Sequence, residues 1–296
     1  MTNLHEHAET TGSEPAIRYY TAGERGPAIL LVMGLGMRGE VWRPQVEGLR
    51  ASHRLAWFDN RGVGESGRAP SRRLYTRELA GDCVRVVDEL DARALAEGDE
   101  ARRWESFHVV GVSMGGMVAQ ELALAVPERV RSLTLIATFG GGSWHARLPP
   151  FAGLRAFVAA NLTRDREAYL RSVQTLLYPA EFLATIDQAA LRARMSAQFG
   201  GRVRRETILG QVHAALRHDT FDRLSRLTLP SLVVRPGRDV LVDPVHSDRL
   251  LERLPNARRL VLPDAGHGVI FQKAFEVNAA IAELVTAVER GASGAT

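Results

Sequence analysis

The sequence predicts an α/β protein: a mostly parallel central sheet, helices on both faces and an inserted helical segment. Three observations predict it. Short apolar runs alternate with longer stretches of helical period through most of the 296 residues, the rhythm of a sheet covered by its crossover helices. The short runs are apolar almost throughout, as strands buried on both faces are. From about residue 144 to residue 227 no apolar run of strand length occurs, only helical patches.

The elements follow in order. Residues 1–14 are polar and acidic and are expected to be a frayed lead-in. Having neither an apolar core nor a basic start, they do not read as a secretory signal. Residues 28–32 (AILLV) are the first buried strand, followed by helical period at 40–50 and a second strand at 55–58. A long amphipathic stretch at 76–95 leads through the charge-rich connector 91–103 to a strand at 107–112. A helix at 114–125 and a strand at 133–137 come next. The inserted segment carries helical patches at 151–161, 166–177, 181–199 and 203–217. Strands at 231–235 and 259–262, with helices at 244–254 and 271–289, complete the chain. The organisation expected is a core in two parts, 1–143 and 228–296, with a helical cap at 144–227. The cap is read as a lid, because open α/β sheets bind ligands at the carboxyl ends of their strands.

Composition excludes several classes. The net charge of +4 and pI near 9.7 come from scattered arginines, with Lys273 the only lysine. The pairs Arg72-Arg73, Arg102-Arg103 and Arg204-Arg205 lack interleaved aromatics, so no nucleic-acid partner is expected. No apolar run approaches the roughly 18 residues of a membrane span. No membrane partner is expected, and the protein is read as cytoplasmic. The single Cys83 excludes an intrachain disulfide and reads as a small apolar packing residue. His5 and His7 lie in the tail, and His213 with His218 has the wrong helical spacing for a shared ligand face, so no metal is expected. Gly34-x-Gly36 lacks the third glycine of a dinucleotide fingerprint. The expected partner is a small-molecule substrate, with no cofactor.

One motif carries chemistry. Gly111-Val112-Ser113-Met114-Gly115 is a G-x-S-x-G sequence directly after a strand and directly before a helix, the context that a nucleophile elbow requires. The sharp turn exposes the serine Oγ, and glycines on either side leave room for the chain to fold back. The first amides of the helix then face the site, where a helix N-terminus stabilises an anion. The Met114 N–H is therefore expected to be one oxyanion donor.

On these residues the chain resembles the α/β-hydrolase superfamily, from about residue 16 to residue 288. Two further segments carry the resemblance. Val32-Met33-Gly34-Leu35-Gly36-Met37 stands where family members carry His-Gly, and the resemblance makes the Leu35 amide the second oxyanion donor. Met33 replaces the usual histidine, which changes the walls and leaves the backbone donor in place. Asp59-Asn60-Arg61-Gly62-Val63-Gly64-Glu65-Ser66-Gly67 resembles a structural turn of the family, so Ser66 is read as a turn residue.

A serine hydroxyl needs an adjacent base. Of nine histidines only His267 sits in a loop directly after a late strand, between Gly266 and Gly268, and it matches the family's C-terminal Gly-His. Chain order in this fold is serine, acid, histidine. Asp239, after the 231–235 strand, matches the acid position. Asp243 is its competitor, read as a helix cap before Pro244, and Asp264 is a third choice. The serine separates the chain from haloalkane dehalogenases and epoxide hydrolases, which resemble it but use aspartate at this position. Candidate substrate-binding residues are Met37, Phe139, Trp144 and Val269, beside Leu35 and Met114, with ordinary core packing the alternative for each. The reading is a hydrolase of a carboxylic ester or lactone of a small organic substrate. The alternatives are a carbon–carbon bond hydrolase, a cofactor-free haloperoxidase-like member, and a ligand-binding receptor on the same fold with little turnover.

Overall fold

The structure, a computed structural model, describes residues 7–68, 73–142, 150–163, 165–198 and 203–293. Its centre is a sheet of eight strands. These are β1 (His7–Thr10), β2 (Arg18–Ala22), β3 (Ala28–Val32), β4 (Arg54–Phe58), β5 (Phe107–Val112), β6 (Val130–Ile136), β7 (Ser231–Pro236) and β8 (Ala257–Leu262). They lie in the order β1-β2-β4-β3-β5-β6-β7-β8. The β1–β2 and β2–β4 pairings are antiparallel, and every pairing from β4 onward is parallel.

Successive side chains of a strand point to opposite faces, and the apolar runs split accordingly into two cores. Ile29 and Leu31 of β3, Val110 of β5 and Val234 of β7 enter one core with Trp42, Trp57 and Ile281. Leu30 and Val32, Val109 and Val233 enter the other with Val86, Val118 and Leu122. Helices α1 (Arg43–Leu49) and α11 (Ala274–Ser293) cover the first face; α2 (Thr76–Ala96) and α3 (Met114–Ala125) cover the second. Each wholly buried aliphatic side chain contributes about 1.5–3 kcal/mol, against about 0–1 kcal/mol for an exposed ion pair. The sheet is therefore fixed by these two cores and not by the many arginine–carboxylate pairs of the surface.

Between β6 and β7 the chain forms α4 (Phe151–Leu162), α5 (Arg166–Leu177), α6 (Ala180–Thr185), α7 (Gln188–Gln198) and α8 (Arg205–Arg217). After β7 come α9 (Val245–Arg253), α10 (Val269–Gln272) and α11. No helix of the described residues is long and apolar enough to cross a membrane.

Four local expectations are corrected. Residues 7–10 are strand β1, not a frayed lead-in, and β2 carried no expectation at all. β1 is polar and half-exposed because it is an antiparallel edge, where only its backbone must be paired. The stretch 40–50 opens as a 3-10 turn over Gly39–Trp42 before α1. The stretch 181–199 is two helices, because Asp187 turns its carboxylate onto the Ala189 and Ala190 amides at 2.8 and 3.1 Å and starts α7 afresh. The C-terminal stretch likewise divides, into α10 and α11.

Candidate active site

Ser113 sits between β5 and α3 with φ 56° and ψ −124°, a backbone conformation that an L-residue adopts only under constraint. The constraint comes from the neighbouring strand β6, with the residue just after it, and from α3 itself. The Ser113 amide donates to Ile136 O at 2.9 Å, and Ser113 O accepts from the Thr138 hydroxyl at 2.7 Å and the Gly116 amide at 2.9 Å. Two glycines permit the turn. A Cβ on Gly111 would collide with the Gly115 backbone, and one on Gly115 with the Val32 carbonyl. Glycine at these two positions lets α3 start directly against the ends of β3 and β5.

The Met114 amide is the first of α3, where no intrahelical acceptor is available. The loop after β3 lies on the same spot. A Cβ on Gly34 would stand 3.2 Å from Ser113 Cβ and 3.7 Å from its Oγ. Leu35 follows in that loop, which is tied on both sides. Asn60 Nδ2 donates to Met33 O at 2.9 Å, and Gln211 Oε1 accepts from the Gly36 amide at 2.7 Å.

His267 follows β8 and is buried, with 5% exposure. Its Nδ1 lies 2.7 Å from Asp239 Oδ2. The other oxygen of Asp239 accepts from the Leu241 and Val242 amides at 2.8 and 2.9 Å. One carboxylate oxygen thus holds its own loop while the second faces the imidazole. The two competing carboxylates are engaged elsewhere. Asp243 accepts from the Val245 amide at 3.0 Å at the start of α9. Asp264 is exposed and pairs with Lys273 at 2.7 Å, which holds its carboxyl below the usual range. Ser66 lies in its turn, donating to Asp59 O at 2.6 Å and accepting from the Arg18 amide at 2.9 Å.

Ser113 and His267 line one cavity of about 300 Å³, at the small end of the usual range for small-molecule sites. Leu35, Met37, Met114 and Phe139 also line it, under side chains from α4, α5, α7 and α8. Val269 does not. It is wholly buried in the core beneath, and its neighbours Gly268 and Ile270 form the wall instead. Trp144 and the 143/144 boundary lie outside the described residues. Three residues that carried no expectation join the site. Arg194 and Tyr178 line the cavity, and Gln211 holds the loop after β3. In the sequence all three fall at ordinary positions of amphipathic helices or their ends, and nothing local marks them. Among the described residues no group of three or more histidine, cysteine or acidic side chains is arranged to hold a metal ion.

A family model described as alpha/beta hydrolase fold matches residues 27–274. The chain belongs to the α/β-hydrolase family. It is 36% identical, over 247 residues, to a protein of Azorhizobium caulinodans named putative carbamate hydrolase RutD, covering 81% of this chain and 84% of that one. A protein of the same name from Caulobacter vibrioides is 31% identical over 267 residues, 88% and 91% of the two chains. Among solved structures, the enol-lactonase from Burkholderia xenovorans superposes with a TM-score of 0.77 at 23% identity, covering 95% of this chain and all (100%) of that one. At that identity the likeness speaks for the fold alone. The chain is a hydrolase of the α/β family.

Proposed function

We propose that this hydrolase cleaves a carboxylic ester or lactone of a small organic substrate, with Ser113 as nucleophile, His267 as base and Asp239 orienting the base. The observation that carries the reading is that a constrained, positive-φ serine and an imidazole 2.7 Å from a buried carboxylate line one apolar cavity. Ser113 Oγ attacks the acyl carbon and His267 Nε2 takes its proton. The Asp239 carboxylate accepts the Nδ1–H, fixing the tautomer and stabilising the imidazolium. Negative charge moves to the former carbonyl oxygen, where the Leu35 and Met114 amides receive it. His267 then protonates the leaving alkoxide, and water repeats the sequence on the acyl-enzyme. Met37 and Phe139 are proposed to contact the acyl chain.

A second reading is a carbamate, whose carbonyl carbon offers the same point of attack. The identity to relatives named as putative carbamate hydrolases favours it.

The test is hydrolysis of p-nitrophenyl esters from acetate to decanoate, alongside aryl carbamates, by the wild type and Ser113→Ala. Turnover lost in the variant supports the reading, and the preferred series separates ester from carbamate. Equal turnover by both proteins removes Ser113 from the nucleophile's role. Ligand retention without turnover of either series favours a binding protein.

A further inference from the structure

Among the described residues, the cavity wall holds a cation with no anion beside it. Arg194, in α7, lines the cavity together with Ser113 and His267. Its Nη2 donates to Tyr178 Oη at 2.7 Å, and its guanidinium carbon stands 3.0 Å from the centre of the Phe271 ring. Among the described residues its Nε and Nη1 are buried without a hydrogen-bond partner. Among the described residues no carboxylate lines the cavity and none pairs with Arg194.

Tyr178 does not supply the missing charge. Burial pushes its phenol above the ordinary value, so it stays neutral at neutral pH. Phe271 offers a cation–π contact as a partial substitute. A desolvated charge without a counter-charge is costly, and burial does pull Arg194 below its usual value. Guanidinium nevertheless remains protonated. The cation also stands close to the chemistry. The Tyr178 ring that it binds packs on Gly268, where a Cβ would come to 3.0 Å from Tyr178 Cζ. The Gly268 amide, next to His267, donates to Leu177 O at 2.7 Å.

We propose that Arg194 binds a carboxylate carried by the substrate, so that the molecule hydrolysed is a small organic anion anchored beneath α5 and α7 with its acyl group at Ser113. This deepens the Ser113 reading and rests on it. The wall between the two groups is largely apolar, which fits a hydrocarbon spacer. A guanidinium suits a carboxylate through charge-assisted hydrogen bonds.

Two experiments test it separately from the hydrolase reading. The first compares mono-p-nitrophenyl adipate with p-nitrophenyl hexanoate, which differ by a carboxylate in place of a methyl at the same chain length. Wild type is expected to favour the anionic ester in kcat/KM by about 10–100-fold, the range of a hydrogen bond to a charged group. In Arg194→Met that preference falls to near unity, while Arg194→Lys keeps part of it. A role in packing alone predicts no difference between the Met and Lys variants. The second titrates hexanoate and hexanamide into the wild type by calorimetry, which needs no turnover. Hexanoate is expected to bind about 10-fold more tightly, and the difference vanishes in Arg194→Met. Failure of both esters to turn over, with hexanoate still bound through Arg194, strikes the ester reading and leaves the anion site standing. A neutral preference in the wild type, or an anionic preference unchanged in Arg194→Met, overturns the proposal.

Discussion

Gln211 Oε1 accepts the Gly36 amide at 2.7 Å, joining helix α8 to the loop that carries the Leu35 N–H. From the other side Asn60 holds the carbonyl of Met33 in the same loop. A backbone donor is only as useful as its position, and two buried side-chain amides of distant sequence set that of the proposed Leu35 donor. Gln211→Leu removes one of them. Because Gln211 Nε2 is buried without a partner among the described residues, the change is expected to leave overall stability nearly unaltered. The expected result is a fall in kcat of about 10-fold with little change in KM, corresponding to one neutral hydrogen bond. That is smaller than the roughly 100–1,000-fold loss of a direct oxyanion donor. An unchanged kcat would show that α8 does not position the loop.

Asp239 is the second position where a single atom matters. Asp239→Asn keeps an oxygen for the Leu241 and Val242 amides, so the loop is expected to hold its shape. The new amide would turn an N–H toward His267 and force the wrong tautomer. A loss of about 10⁴-fold in kcat is expected, the size known for this kind of change in a serine triad. Asp243→Ala is the control. It removes the carboxylate at the start of α9, with a cost of about 1 kcal/mol in urea denaturation and activity retained. Reversed sensitivities would move the acid to Asp243.

Ser113 and Ala137 are the non-glycine residues with positive φ among those described, at 56° and 49°. Both stand at the carboxyl ends of adjacent strands, so backbone strain is concentrated beside the cavity. Replacing Ser113 with Gly or Ala abolishes the proposed nucleophile either way, but only glycine relieves the strain. Ser113→Gly is expected to be more stable than Ser113→Ala by about 1 kcal/mol, despite the greater entropy of an unfolded glycine. Parallel thermal melts decide it; equal or reversed melting temperatures would mean that the turn is not strained.

The parallel part of the sheet was legible because each central strand is buried on both faces and must be apolar throughout. β3 and β5 needed nothing beyond that run and its flanking glycines. β1 and β2 were not legible, because antiparallel edge strands satisfy their backbones while showing polar side chains to water. The break at Asp187 was hidden because apolar period continues through it, and only the capping contact ends one helix and begins the next. Ser113, Asp239 and His267 stood out because each occupies a loop just after a strand. Arg194 did not, since a cavity built by four helices is assembled from residues that look locally like any amphipathic face. Its significance comes from missing partners, and a sequence does not display those.

The opposite end of the sheet carries a pH dependence that is separate from catalysis. His108 stands near the start of β5, the strand that leads into Ser113. Its Nδ1 meets the Ser132 hydroxyl at 2.7 Å and its Nε2 meets Glu289 at 3.0 Å, with Arg131 also on Glu289 at 3.2 Å. Burial pushes its pKa down to about 4, overriding the upward pull of Glu289, while Arg131 and His53 add to the depression. The folded state therefore prefers the neutral ring. Between pH 4 and the ordinary value of 6.5 the unfolded chain binds the proton that the folded chain releases. Stability from this group is then complete above 6.5 and is lost as pH falls toward 4. His108→Gln, which keeps a polar side chain and removes the titration, should flatten this part of the profile. From pH 7 to pH 4 the wild type is expected to lose on the order of 3 kcal/mol more than the variant in urea unfolding. A parallel loss in both proteins would mean that Glu289 keeps His108 charged in the fold, with the ion pair outweighing burial.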